Sequence, residues 1–326
     1  MRRTLVLGAA VVLGLSISTP MRGQENRHVF VSLAAASGIQ PRDLQLSDVT
    51  VVEDDQECIT LKIDPVTAPI KLTVLIDNGT YDTHPDGGRL EQGWSMNVNE
   101  MRNGLRGLFM ALPAGVEMSL QTMAPQVRWV AKQTSDRSQV LASIDRVSPG
   151  GGPAQFFDGL ADAGNRMQTD ENAFPVIVMV TTDGSTGSVR DQQLDKLRKQ
   201  LAGRAATVHF VLLMVGAQPA GVEDPSGAGN SLGREFGLVA GALQAQVGQS
   251  LAKMTGGRFE SLGTSNRLTS LLPEIGQQIA RSDVRQRNSV RVTYEAADSK
   301  SRPKRISVRA RDGVSLAGMS LDGHLP

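Results

Sequence analysis

Residues 72–79 read Leu-Thr-Val-Leu-Ile-Asp-Asn-Gly: a continuous strand-forming run, then a carboxylate, then two turn-favouring residues. A strand wet on one side alternates apolar and polar residues. A run without a polar face suits a strand covered on both sides, as in a parallel sheet packed between helices. Two later stretches repeat the pattern: residues 176–180 (VIVMV), followed by Thr181-Thr182-Asp183-Gly184, and residues 208–215 (VHFVLLMV), interrupted only by His209. Around these runs, Val140, Ile144 and Val147, then Leu194, Leu197 and Leu201, then Leu268, Leu271, Leu272, Ile275 and Ile279 keep the three-and-four spacing of helices. Residues 234–254, rich in Ala, Leu, Val and Gln, predict a long helix, and Pro273 predicts that the last helix starts near it or kinks there. Strand and helix in alternation define the expected fold class, α/β with a doubly wound, mostly parallel sheet.

Outside this region the periodicity changes to two. Val29, Val31 and Leu33 share one face, and Ile59, Leu61 and Ile63 stand opposite Thr60, Lys62 and Asp64. At the other end Val290, Val292 and Tyr294 alternate with Arg291, Thr293 and Glu295, and Ile306 and Val308 continue after a polar turn, which predicts a hairpin. Residues 43–64 carry seven acids and one Lys, whereas residues 281–311 carry ten basic residues and three acids. Such opposite charges suit two terminal segments that share a small antiparallel β subdomain with charged residues facing one another.

The chain has 326 residues, 34 Lys plus Arg against 33 Asp plus Glu, and one Cys. That balance offers no standing positive charge for nucleic acid, and a lone Cys58 rules out an intramolecular disulfide, a CxxC pair and a Cys-rich zinc site. Cys58 is expected buried in a strand. Arg2 and Arg3 precede an apolar stretch at residues 5–17 and then Ser18, Thr19 and Pro20, the order of a secretory signal peptide. A helix of that length reaches roughly 20 Å, short of the roughly 30 Å needed to anchor it across a membrane. The expectation is an exported protein, periplasmic or secreted, with no stable membrane anchor once residues 1–24 are removed.

Ligands of open α/β sheets bind beyond the carboxyl ends of the strands. There the sequence places Asp77-Asn78-Gly79-Thr80-Tyr81 and Thr182-Asp183-Gly184, while the turn Gly150-Gly151-Gly152-Pro153-Ala154 leads into a helix at residues 156–167. In this order the segments resemble a von Willebrand factor type A domain. The flanks VTVVEDDQE (residues 49–57) and SVRVTYEAADSKSRPKRISVRARDGV (residues 289–314) resemble the exported VWFA-related proteins described mainly from acidobacteria. The resemblance spans residues 28–318 and implies a Rossmann-like domain at 68–284. It would be flanked by an N-terminal β segment at 25–67 and a C-terminal hairpin and tail at 285–326.

The resemblance also implies a metal-ion-dependent adhesion site, in which a divalent cation, Mg²⁺ or Mn²⁺, is presented to an acidic group of a protein partner. Asp77 matches the family's first aspartate and Asp183 its last, but Gly79 and Tyr81 stand at the two serines and Ala154 stands at the threonine. Two of five side-chain ligands remain, with Thr80, Thr182 and Ser185 as neighbouring oxygens, and magnesium readily keeps waters in its shell. The alternative is that Asp77 and Asp183 cap turns through nearby backbone N–H groups.

Three functions follow. The first is a non-enzymatic protein-binding module that uses Asp77, Asn78, Thr80, Gly152, Pro153, Ala154 and Asp183 and the long loop at residues 80–97 that contains Trp94. The second is a metal-dependent hydrolase built on Asp77 and Asp183, and the third a structural envelope protein with a vestigial site. No GxSxG elbow, HExxH pair or GK[ST] phosphate loop occurs, and Asn78-Gly79-Thr80 fits a glycosylation sequon. Of the histidines, His28 falls in a terminal strand, His84 in a loop and His324 in the tail, while His209 is expected in the core.

Overall fold

The computed structural model describes residues 26–34, 38–79, 98–167, 173–183, 185, 191–214, 231–298 and 303–321, without the side chains of 191, 203 and 231–242. The expected signal segment, the loop at 80–97, Thr80, Tyr81, Gly184, His84 and His324 lie outside these residues. No described helix is long and apolar enough to cross a membrane.

The N-terminal strands are β1 (Asn26–Leu33), β2 (Val49–Glu53), β3 (Gln56–Cys58) and β4 (Thr60–Pro65). The central strands follow as β5 (Ile70–Ile76), β6 (Glu117–Thr122), β7 (Arg128–Thr134), β8 (Phe174–Thr182), β9 (Thr207–Leu213) and β10 (Phe259–Leu262). These six form one sheet in the order β10-β9-β8-β5-β6-β7, parallel throughout except for the edge strand β7. The three apolar runs of the sequence are β5, β8 and β9, adjacent in the middle of that sheet.

Both faces are covered, which is why these strands lack a polar side. Helices α1 (Val98–Ala111), α2 (Arg137–Ser143) and α6 (Leu268–Arg287) bury Leu105, Val140 and Leu272 against Leu72, Val74 and Ile76. On the opposite face α3 (Phe156–Met167), α4 (Asp191–Gly203) and α5 (Ser231–Met254) bury Leu160, Leu197 and Leu251 against Leu75, Ile177 and Phe210. His209 alternates with Phe210 onto the α1 and α6 face, in register with Val211 and Leu213, and is 2% exposed, its Nδ1 accepting from the Arg258 backbone N–H at 3.2 Å. Burial, with the charge of Arg258 as a second cause, pushes its pKa down to about 4.

The helix expected to start near Pro273 or kink there, α6, begins at Leu268, five residues ahead of the proline, and carries it inside. The proline forfeits a single helical hydrogen bond near the N-terminus. Its ring fills the groove left by Gly107 on α1, where an added Cβ would lie 2.4 Å from Pro273 Cγ. Gly104 and Gly276 bring the two helices equally close, with an added Cβ 2.7 Å from Leu268 O and from Leu108 O respectively.

The C-terminal strands β11 (Ser289–Glu295), β12 (Ile306–Ala310) and β13 (Leu316–Ser320) join the N-terminal ones in two antiparallel sheets, β13-β1-β11-β4 and β12-β2-β3. The expected hairpin of β11 with β12 is not formed. β1 and β4 occupy both edges of β11, so β12 pairs with β2 instead. Val29, Val31, Val290, Val292 and Tyr294 then meet Val49 and Val51 across a shared core, with Ile306 and Val308 packed against it.

The facing charges do meet: Arg309 reaches Glu57 at 3.1 Å, Arg311 reaches Asp48 at 3.2 Å, and Arg305 pairs with Asp55. At the centre Glu53, 3% exposed, accepts from Tyr294 Oη at 2.8 Å, Arg27 at 3.1 Å and the Ala297 N–H at 3.1 Å. A buried carboxylate is tolerated only when its lone pairs are filled in this way. Burial and the bond to Glu53 also raise the Tyr294 pKa.

β4 departs from the predicted alternation. Leu61 is skipped in the pairing, since Lys62 faces Thr293 and Thr60 faces Tyr294. This bulge reverses the faces, so Ile59 is 64% and Leu61 41% exposed while Ile63 packs on the core. Cys58 is buried in β3, as expected, and burial raises its thiol pKa.

Two outcomes are expected. Gly276→Ala, which in an exposed helix would stabilise by about 1 kcal/mol, should destabilise this chain by roughly 1–3 kcal/mol through overpacking, read by urea denaturation. His209 should contribute a pH dependence of its own. Its folded pKa lies below the ordinary 6.5, so the unfolded chain binds more protons between about 4 and 6.5, and stability is lost as pH falls through that window. His209→Leu lowers stability at neutral pH but should flatten that part of a urea-midpoint profile.

Candidate functional site

The parallel pairing of β5 with β8 places Asp77 beside the last residues of β8. Its backbone N–H donates to Val180 O at 2.8 Å, and its side chain is fully buried. Oδ1 accepts from the Gly79 N–H at 2.8 Å. Oδ2 accepts from the Thr182 N–H at 2.9 Å, from Thr182 Oγ1 at 2.7 Å and, more distantly, from Thr181 Oγ1 at 3.4 Å. The first bond closes a turn at the end of β5; the others tie that turn to β8.

Asn78, 5% exposed, connects a third segment. Its Oδ1 accepts from the Ala124 N–H at 2.9 Å, its Nδ2 donates to Ser148 O at 2.9 Å, and its backbone O accepts from the Gly150 N–H at 2.6 Å. A side chain at position 150 does not fit, because an added Cβ would lie 2.6 Å from Ala124 O. Gly152 turns the chain with φ +89°, a conformation that favours glycine. Pro153 and Gly151 are exposed on this turn, whereas Ala154 is fully buried among Phe156 and Leu160 at the base of α3.

Asp183 donates its N–H to Leu213 O at 3.0 Å and is 8% exposed. Behind it Ser185, 1% exposed, donates from Oγ to Thr182 O at 3.0 Å and accepts from Thr181 Oγ1 at 3.0 Å. Gln244 of α5 reaches both Ser185 O and Ser185 Oγ with Nε2 at 2.6 Å.

Of the site residues expected from sequence, Asp77, Asn78, Asp183 and the glycine-rich turn therefore collect at one edge of the sheet. Thr80 lies outside the described residues. Gln244 was missed by sequence reasoning. The only signal was a polar residue in register with Val247 and Leu251 on the buried stripe of α5.

The donor set is a poor match for the cation that the resemblance implies. Mg²⁺ takes near-octahedral oxygens, yet position 79 offers no side chain, position 154 a buried methyl group, and both oxygens of Asp77 already accept protein donors. Among the described residues no group of three His, Cys, Asp or Glu is placed to hold a metal.

The mostly parallel sheet, with Asp77 and Thr182-Asp183 at the ends of adjacent strands, is the α/β architecture that the sequence led us to expect. The fold is α/β, a mostly parallel sheet between two layers of helices with small antiparallel sheets built from the two ends of the described chain. No protein-family model matches the sequence, and no curated protein matches it. Similar solved structures include a von Willebrand factor type A protein from Catenulispora acidiphila, 11% identical with TM-score 0.48, the match covering 91% of this chain and 72% of that one. Another is BatB, a conserved hypothetical protein from Bacteroides thetaiotaomicron, 13% identical with TM-score 0.41, covering 65% and 99%. The PilB minor pilin from Streptococcus sanguinis is 10% identical with TM-score 0.42, covering 67% and 63%.

The amide of Asn78 is engaged at both ends, so the sequon should stay unmodified. Mass spectrometry after expression in a glycosylating host should find no glycan at position 78. Asn78→Ala, which strands the Ala124 N–H and the Ser148 carbonyl, should cost about 2–4 kcal/mol in urea denaturation.

Proposed function

We propose that the chain is an exported, non-enzymatic protein-interaction module whose contact face is the carboxyl edge of its central sheet. The observation that carries this reading is the Asn78 junction. Through it the end of β5, the end of β6 and the turn before α3 are bonded into one surface at the place where α/β sheets meet their ligands. Pro153 and Gly151 stand out from that surface. Asp77 favours a binding role over hydrolysis, because its carboxylate is committed to holding two strand ends together and is fully buried. The signal-like residues 5–17 support export.

A photo-crosslinking phenylalanine analogue placed at Pro153 tests the contact face in the protein's own host. Ala114, exposed between α1 and β6 at the opposite end of the sheet, serves as the control position. Discrete protein adducts should form from position 153 and not from position 114. Equal adducts from both positions, or none from either, would overturn the assignment.

A further inference from the structure

We infer that the strand-end site is held by a metal-free hydrogen-bond clamp, with Gln244 as its keystone, and that contact through this face is independent of divalent cations. The inference deepens the interaction reading above and rests on it only for the identity of the contact face.

The argument is an accounting of protons and lone pairs. Each carboxylate oxygen has about two acceptor sites. The two close donors on Asp77 Oδ2, the Thr182 N–H at 2.9 Å and the Thr182 hydroxyl at 2.7 Å, fill it. At 3.4 Å the Thr181 hydroxyl is too far to compete, and it lies closer to Ser185 Oγ, at 3.0 Å. The Ser185 proton goes to Thr182 O, and Ser185 Oγ takes its other donor from Gln244 Nε2. Gln244 has its nitrogen end facing this cluster because it also meets Ser185 O, which can only accept.

The chain Gln244, Ser185, Thr182, Asp77 thus closes, with Ser185 and Thr181 also linked, and every member is at most 1% exposed. A cation at Asp77 Oδ2 would have to take lone pairs that these donors hold, leaving the Thr182 N–H buried and unpaired. Buried donors without acceptors are strongly disfavoured. Of the three positions that depart from the family's ligands, 79 and 154 carry no oxygen on their side chains. In place of an ion between strand ends, the chain uses a helix side chain and three hydroxyls. The face then has no need of a carboxylate from its partner.

Amide hydrogen exchange on the full chain tests the clamp, with Thr182→Val, Thr182→Ser and Gln244→Leu compared with wild type. Thr182→Val keeps the shape but removes the hydroxyl. It and Gln244→Leu should speed exchange at the Gly79 and position-182 amides by about tenfold or more, while Thr182→Ser stays near wild type. The amides of Val29 and Val292, in the distant β sandwich, report whether the variants remain folded. Should Gln244→Leu unfold the chain, the Val and Ser variants at position 182 still decide. Unchanged exchange in Thr182→Val would overturn the clamp.

Calorimetry of wild type with Mg²⁺, Mn²⁺ and Ca²⁺ should show no binding at millimolar concentration. Binding abolished by Asp77→Asn would overturn the inference. Crosslinking from position 153 should be unaffected by EDTA, and its loss on chelation would likewise overturn it. Failure to crosslink at all would sink the interaction reading alone, since exchange and calorimetry judge the clamp separately.

Discussion

The bond between Asp77 and the backbone N–H of Thr182 joins the ends of the two central strands, and the layout of the upper edge depends on it. β5 and β8 are parallel, so their ends come together only if the polar groups beyond the last ladder bond find partners. Asp77 supplies both: one oxygen closes its own turn through Gly79, and the other caps β8. Asn78, the next residue, extends the junction to β6 and to the turn before α3. Three connections are thereby fixed by two adjacent side chains, and a buried carboxylate that would otherwise carry a large desolvation cost is stabilised by several donors.

The second unit of the structure solves a similar problem with opposite means. Its core is small, and its two sheets are drawn from the two ends of the chain. Glu53, Tyr294 and Arg27 bind across that core, while Arg305, Arg309 and Arg311 meet Asp55, Glu57 and Asp48 at its surface. The surface pairs are worth little individually. Their use is in register and pairing choice, since acidic and basic segments far apart in sequence have no reason to pair with copies of themselves.

Much of this was legible in residue order. The three apolar runs named the central strands, because strands buried on both faces cannot carry a polar side. The helical stripes at Leu197 and Leu201 and at Leu268 to Ile279 named the covering helices, and the charge imbalance between the termini announced their contact. Less legible were features set by neighbours distant in sequence. Pro273 looked like a nearby helix start or a kink because a proline reads as a break; the space at Gly107 of α1 accommodates its ring inside the helix. β12 looked like the partner of β11 because it follows it, but both edges of β11 were taken by β1 and β4.

The site divides in the same way. Sequence by itself determined that Asp77, Asn78, Asp183 and the Gly150 turn would lie at the carboxyl edge of a parallel sheet, because strand periodicity fixes where each strand ends and which residue follows it. Which donors would fill the lone pairs of Asp77 was decided only by tertiary structure. Thr182 lies 105 residues from Asp77, and Gln244 lies 59 from Ser185. Hydrogen-bond partners at such separations depend on strand register and helix rotation, neither of which is written in local pattern. The same residue types in the same order would suit an ion or a clamp, and the hydrogen bonds on which the clamp proposal rests come from the packing of the strands and of α5.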